Sequence, residues 1–193
     1  MNIFSSTSAI IKEAEYFNTP ESFFNNFEVA FERVRSQILK IETRQEYIES
    51  GNISYEAMAT GDLETAIHLI NEARIEDKPL YDDLNLRGVD FLRCRPIKYP
   101  LSPYIKWELK VYEFNSHCER IFCCNYDAVK ELMEENIKHD FMVFDSFIAF
   151  IHNYNTKGEI EGGWTTQDIT HIVELQKMFI FMKSLSNPYT FYI

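Results

Sequence analysis

The spacing of apolar residues changes along this chain, and that change restricts the possible folds more than any other feature. Between Thr19 and about residue 77, apolar side chains recur every three or four residues, as in helices that are buried on one side. From Val89 onward, short apolar or alternating runs predominate, as in strands, before a last helical stretch. This segregation predicts an α+β fold, with N-terminal helices packed on a mostly antiparallel sheet and a C-terminal helix.

Two helices are predicted in the first half. Thr19 can cap the first helix and Pro20 suits its first turn. The second helix is expected to begin at Asp62 and to end near Asp77. Segment 37–43 fits either a helix or a short strand by periodicity. The stripe of the first helix that should face the core comprises Phe24, Phe27, Phe31 and Val34.

The middle of the chain predicts a hairpin. Val89–Arg95 has the composition of a strand, and three prolines interrupt the segment after it. Apolar and charged residues then alternate over Tyr104–Val111, the pattern of a half-buried strand. Glu119–Cys124 is a short apolar run that could pair with it.

The remaining elements complete one predicted domain over residues 19–193, preceded by a segment 1–18 that could be flexible. Asn125 can cap a third helix. The apolar segments 141–144 and 147–151 predict two strands or one bent strand, and a turn follows at 155–158. Thr166 or Asp168 begins the last helix.

The last helix, Asp168–Leu185, contains more apolar residues than one buried face needs. Four of them are expected to dock it on the sheet: Ile169, Ile172, Val173 and Ile180. A second set is left as a candidate interface with a protein partner or a second copy: Leu175, Met178, Phe181 and Met182. The tail at 188–193 could cover this set instead, and the sequence favours neither alternative.

Charge argues against nucleic acid and membranes as direct partners. The formal net charge is −11 and the pI is about 4.9, whereas both partners require a positive field. No apolar run is long enough to span a bilayer, and no secretory signal is evident, so a cytoplasmic location is expected. Segment 87–110 is the exception, because its six basic residues outnumber two acidic ones.

The basic segment supplies a candidate ligand site. Arg93 and Arg95 share one face of a strand and could bind an anionic small molecule or a nucleotide, with Tyr104 and Lys106 beside them. The alternative, which we favour, is that the two arginines neutralise nearby carboxylates.

Catalytic and metal-binding motifs are not found. Scattered glycines form no phosphate loop, and no cofactor is predicted. Asp145 and Ser146 could combine with His152 or His171 as a catalytic triad, but no motif fixes their geometry. The four cysteines form no CxxC pair, so no metal is predicted and buried free thiols are favoured over a zinc site that would include His117.

Four segments resemble a family of uncharacterised bacterial domains that are often encoded beside helix-turn-helix regulators of the XRE type. The segments are 87–95 (RGVDFLRCR), 100–109 (PLSPYIKWEL), 140–146 (DFMVFDS) and 39–47 (LKIETRQEY). The resemblance favours a strand at 37–43. The chain departs from the family pattern at residues 116–119 and at Ser146, and the family has no established activity.

These observations favour a non-enzymatic regulatory or sensing domain that acts through contacts with a protein, such as a helix-turn-helix regulator, or through self-association. One alternative is a sensor of an anionic small molecule or nucleotide. Another is an acidic mimic of nucleic acid that inhibits a DNA-binding partner, since the segments flanking 87–110 are acidic.

Overall fold

The computed structural model describes residues 5–189, which form one eight-stranded sheet with helices on both faces. The helices are α1 (Thr7–Ile10), α2 (Pro20–Arg33), α3 (Ile53–Ala59), α4 (Leu63–His68), α5 (Ile70–Ala73), α6 (Lys78–Leu86), α7 (Pro103–Phe114), α8 (Tyr126–Glu135) and α9 (Ile169–Ser184). The strands are β1 (Glu15–Phe17), β2 (Gln37–Ile41), β3 (Asp90–Ile97), β4 (Glu119–Asn125), β5 (Phe141–Phe144), β6 (Ile148–Tyr154), β7 (Ile160–Thr166) and β8 (Asn187–Pro188).

The sheet is mostly antiparallel, with strand order β1-β7-β6-β5-β2-β3-β4-β8. Only the central pairs β2–β3 and β3–β4 are parallel among the described strands. The α+β class and the C-terminal helix are therefore confirmed. Within the segment 1–18 that was predicted to precede the domain, residues 5–17 contribute α1 and β1, and β1 pairs with β7.

One face of the sheet packs against α1, α8 and α9, and its core is apolar. Leu92 and Cys94 of β3 point to this face, together with Leu39 and Ile41 of β2. We call it the dry face. The opposite face packs against α2–α7, and β3 presents Phe91 and Ile97 to the apolar clusters there. We call it the cavity face.

The predicted strand Tyr104–Val111 is wrong, because this segment lies in helix α7. Ser102 caps the helix by accepting a hydrogen bond from Ile105 N, and Pro103 occupies its first turn. Only Lys106 and Lys110 are exposed within 104–112, four residues apart, as on a nearly buried helix. The capping pair Ser-Pro was a better signal here than the apparent alternation.

The predicted hairpin is wrong for the same reason. With α7 as a crossover, β4 pairs with β3 in parallel, from Phe91 opposite Glu119 to Ile97 opposite Asn125. The predicted second helix is also divided: α4 ends before Leu69, α5 ends at Ala73, and α6 begins at Lys78 with Pro79 in its first turn. Helix α3 and strand β7 were not predicted.

Other local signals are confirmed. Thr19, Asp62, Asn125 and Asp168 each accept a backbone hydrogen bond as helix N-caps. Segment 37–41 is a strand, and the two apolar segments after residue 140 are separate strands joined by a turn at 145–147. In α2, however, Phe23 is fully buried and Phe24 is 42% exposed, so the predicted stripe is shifted.

The two faces of α9 are the reverse of the predicted arrangement. Ile169, Val173 and Ile180 are exposed, and only Ile172 of the expected docking set is buried. The proposed interface residues Leu175, Met178 and Met182 are fully buried in the core of the dry face, and Phe181 is partly buried. Both stripes have helical spacing, so spacing cannot decide which one faces the sheet.

The tail does not run along α9 where it is described. Strand β8 pairs with β4, and Tyr189 packs on the cluster that contains Trp107 of α7. The remainder of the predicted covering segment, 190–193, lies outside the described residues.

Candidate functional site

A cavity of about 600 Å³ lies on the cavity face, between the sheet and the helices. Its floor includes Lys40, Arg93 and His152, and its walls come from α2, α6, α7 and the segment 47–50. Pockets of 300–1,000 Å³ that are lined by aromatic groups and a few polar ones commonly bind small molecules. Aromatic side chains form much of the lining of this cavity, among them Phe27, Tyr47, Tyr81, Tyr104, Trp107 and Tyr154.

Arg93 is held on the floor by two carboxylates, one directly after β2 and one at the start of β4. Its Nη1 donates to Glu42 Oε1 and its Nε donates to Glu119 Oε1, each at 2.5 Å. All three side chains are at most 8% exposed. The guanidinium carbon lies 4.5 Å from the centre of the Tyr112 ring. Arg93 is thus fixed and already neutralised by the protein.

Arg95 lies deeper and makes its own pair. Its Nε and Nη2 each lie 2.8 Å from Glu108 Oε2, and its Nη1 donates to the carbonyl of Arg44. Its side chain is fully buried and does not line the cavity. The hypothesis that the two arginines neutralise nearby carboxylates matches this geometry, although the ion pairs are buried and not at the surface.

The two central carboxylates have opposite pKa shifts. Burial would raise the pKa of Glu42, but the charges of Arg93, Lys40 and Arg95 outweigh burial and hold it well below its usual value. Burial raises the pKa of Glu108 to about 7, although Arg95 opposes that effect. Glu42 is therefore the stable anion of the cluster.

Tyrosine hydroxyls extend this network around the cavity. Tyr104 donates to Glu49 Oε1 at 2.8 Å and to Glu108 Oε1 at 3.2 Å, and Tyr112 donates to Glu42. Tyr47 donates to Asp140 Oδ2 at 2.5 Å. These hydroxyls are therefore engaged by carboxylates of the protein, three of which, Glu42, Glu49 and Glu108, also line the cavity.

The segments that carry the family resemblance converge on this network. Glu42, Thr43 and Tyr47 come from segment 39–47. Thr43 donates to Asp140 of segment 140–146 through both its backbone N–H and its hydroxyl. The other members are Arg93, Arg95, Tyr104, Trp107 and Glu108. Asp145 instead accepts backbone hydrogen bonds from Arg35, Ser36 and Gln37.

Three buried polar atoms of cavity-lining residues lack a hydrogen-bond partner within residues 5–189. They are Nδ1 of His152, whose residue is 6% exposed, Oδ1 of Asn115, which is 1% exposed, and the donor Nε of Arg74. Burial, followed by the charge of Lys40, lowers the pKa of His152 to about 4, so its imidazole is neutral at pH 7. Buried polar groups are rarely left unpaired, so these atoms indicate an unfilled binding position.

The predicted ligand-binding residues are only partly brought together. Arg93 and Tyr104 line the cavity, Arg95 lies behind it, and Lys106 is exposed on α7 and does not line it. Sequence reasoning missed Glu42, Glu49, Asn115 and His152 as ligand-site residues. The only available signal was the resemblance, which marked the segment containing Glu42.

The structure does not bring together the candidate catalytic triad of Asp145 and Ser146 with His152 or His171. Asp145 is bound to backbone N–H groups at the start of β2, while His171 Nδ1 contacts Thr166 Oγ1 at 3.1 Å on α9. Of these groups only His152 lines the cavity.

The described residues include the cysteines and helices that bear on metal binding and on membrane insertion. Within it, no three His, Cys, Asp or Glu side chains are grouped so that they could hold a metal ion. Cys94 is buried and the other three cysteines are partly buried. Between residues 5 and 189, none of the helices combines the length and apolar character needed to cross a bilayer.

Comparison with known proteins gives a family but no activity. A family profile described as "Domain of unknown function (DUF6879)" matches residues 25–193. No curated protein matches the chain. A solved structure of TrmBL2, described as an archaeal chromatin protein with a novel mode of DNA binding, is similar at 10% identity with a TM-score of 0.46. The match covers 90% of this chain and 54% of that one, and it says nothing about what this chain binds.

Proposed function

Because this chain belongs to the family described as Domain of unknown function (DUF6879), we propose a function from the site itself: a sensing domain that binds a small organic molecule in its cavity. The observation that carries this proposal is the cavity of about 600 Å³ with three unpartnered buried polar atoms on its lining residues. A bound ligand would supply the missing hydrogen bonds and cover the aromatic rings.

The arrangement of the charged groups favours binding over catalysis. Arg93 and Glu42 are held by several protein partners each, so they act as a rigid frame. The neutral His152 is a hydrogen-bonding group whose low pKa makes it a weak base at pH 7. A preorganised frame of this kind lowers the entropy cost of binding.

The regulatory part of the proposal rests on the resemblance. The resembled bacterial domains are often encoded beside helix-turn-helix regulators, so we infer that a cytoplasmic regulator of that type recognises the ligand-bound state. The acidic character of the chain, with a net charge of −11, suits a protein that contacts a basic partner and does not bind DNA itself.

A cavity-filling variant tests this function. Leu80 on α6 lines the cavity, whereas Leu86 on the same helix is 87% exposed. Leu80→Trp should therefore occupy ligand space, and Leu86→Trp is its matched control. The wild-type protein and both variants would be screened by thermal shift against a library of soluble metabolites.

Compounds that raise the melting temperature of the wild-type protein and of Leu86→Trp should have no effect on Leu80→Trp. If every such compound stabilises Leu80→Trp equally, or if no compound stabilises the wild-type protein, the cavity is not a ligand site and the proposal fails.

A further inference from the structure

The positive charges that line the cavity are all paired with carboxylates of the protein. Lys40 Nζ lies 2.8 Å from Glu42 Oε1, and Arg74 Nη1 lies 3.1 Å from Asp77 Oδ2. Arg93 is held between Glu42 and Glu119, as described above. At Arg93, an anionic ligand would have to displace one of these carboxylates, which would leave a second buried negative charge nearby.

Glu49 is the complementary case, because it lines the cavity with no cation of the described residues in ion-pair contact. Burial raises the pKa of this carboxyl group, and the Tyr104 hydrogen bond and the charge of Arg74 oppose that rise. Its Oε1 accepts from the Tyr104 hydroxyl at 2.8 Å and its Oε2 accepts from Asn52 Nδ2 at 3.0 Å. Among residues 5–189 no lysine, arginine or histidine forms an ion pair with it at 4 Å or less. The charge that the lining lacks is therefore positive.

Aromatic rings of the lining are suited to the same charge, beginning with Tyr104, whose hydroxyl contacts Glu49. The ring centres of Tyr47 and Tyr104 are 5.9 Å apart, and that of Tyr104 is 5.5 Å from Trp107. Aromatic faces attract cations within about 6 Å, and most strongly where water is excluded. This protein already uses that contact, since the guanidinium carbon of Arg95 lies 5.5 Å from the centre of the Tyr47 ring.

The unpartnered atoms of the described lining are two acceptors and one donor, Nε of Arg74. Asn115 Oδ1 can only accept a hydrogen bond, and Nδ1 of a neutral histidine can accept one as well. A protonated amine carries only donors, whereas a quaternary ammonium group carries none. An N–H-bearing cation can therefore donate to Glu49 beside the ring of Tyr104. Asn115 follows the other end of α7, roughly 16 Å from Tyr104, so it is left for another part of the ligand.

We propose that the cavity binds a protonated amine on an apolar or aromatic body, with Glu49 as its counter-ion. This inference rests on the proposed function, since it names the ligand class of the same cavity. It replaces the anionic ligand that the sequence analysis gave as an alternative, because the two arginines behind that alternative are occupied by carboxylates.

The test uses three probes of nearly equal shape: 2-phenylethylamine, 2-phenylethanol and phenylacetate. Their binding to the full chain would be measured by isothermal titration calorimetry at pH 7.5. We expect the amine to bind at least tenfold more tightly than the alcohol, and phenylacetate to bind most weakly. This ranking needs no variant, so it holds as a test even if a substitution impairs folding.

Glu49→Gln then identifies the counter-ion. It should weaken the binding of the amine about tenfold and leave the binding of the alcohol unchanged. Glu64→Gln is the matched control, because Glu64 is exposed on α4 and does not line the cavity; it should change neither affinity.

The outcomes separate this inference from the proposed function. If phenylacetate or phenylethanol binds as tightly as the amine and Leu80→Trp abolishes that binding, the cation preference is wrong while the cavity remains a ligand site. If the amine fails to bind the wild-type protein at millimolar concentration, the inference is also overturned, and the metabolite screen decides the proposed function separately.

Discussion

The two faces of one sheet differ in how they are stabilised. On the dry face, α8 and α9 pack through aliphatic, methionine and phenylalanine side chains with β2, β3 and β5. On the cavity face, the same strands carry Lys40, Arg93 and Arg95 into a network of carboxylates and tyrosines. Strand β3 contributes side chains to both faces, because its successive side chains point to opposite sides of the sheet.

This difference indicates a division of labour. Close packing of apolar groups leaves few voids and gives stability, as on the dry face. Buried ion pairs add little net stability, because removing charges from water costs about as much as their attraction returns. They do fix side-chain positions, and on the cavity face they hold open a space that an apolar core would fill.

The largest expected effect comes from breaking the charge network. Glu42→Gln should lower the free energy of unfolding by about 3–5 kcal/mol, because Arg93 and Arg95 would remain buried with too few anions. Urea unfolding at pH 7.5 measures this loss. Glu46→Gln, at an exposed position four residues on, should cost less than about 0.5 kcal/mol. Equal losses of unfolding free energy for Glu42→Gln and Glu46→Gln would contradict a stabilising role of the charge network.

Truncation on the dry face should have a smaller effect of a different origin. Leu175→Ala should cost about 3 kcal/mol, since Leu175 is fully buried under the sheet and its removal leaves a cavity. Ile180→Ala on the same helix should cost less than about 0.5 kcal/mol, because Ile180 is 64% exposed. Urea unfolding of both variants checks which stripe of α9 faces the sheet; a larger loss for Ile180→Ala would contradict the arrangement described here.

The smallest expected effect is the pH dependence that His152 contributes to the cavity face. Burial lowers its pKa to about 4, against about 6.5 in the unfolded chain. Between these values the unfolded state binds the additional proton, so stability is fully present above pH 6.5 and is lost as the pH falls towards 4. From pH 7 to pH 4.5 the loss should be about 2 kcal/mol.

His152→Gln isolates that contribution. Glu108, with its pKa raised to about 7, acts with the opposite sign, because its stabilising contribution is lost as the pH rises. The measurement is therefore the difference between wild type and His152→Gln in urea unfolding at pH 7 and 4.5. The stability of wild type relative to the variant should fall with decreasing pH, and a difference that does not change with pH would contradict a buried neutral His152.

Local sequence signals determined where many elements begin and what kind of fold they build. Thr19, Asp62, Asn125 and Asp168 marked helix starts because a side-chain oxygen must satisfy a backbone N–H at that end. The shift from helical to strand spacing gave the α+β class. Alternation failed at 104–111, because a helix that is buried nearly all round also places its few charged residues at even intervals.

Only the tertiary structure decided which face of each helix or strand is buried and which side chains surround that face. The sequence placed Arg93 and Arg95 on one face of a strand, but their neutralisation by Glu42, Glu108 and Glu119 depends on segments up to 51 residues away. In α9, two stripes of equal spacing left the buried face open until the sheet covered one of them. A cavity is a property of how elements pack, and it therefore has no local signal in the chain.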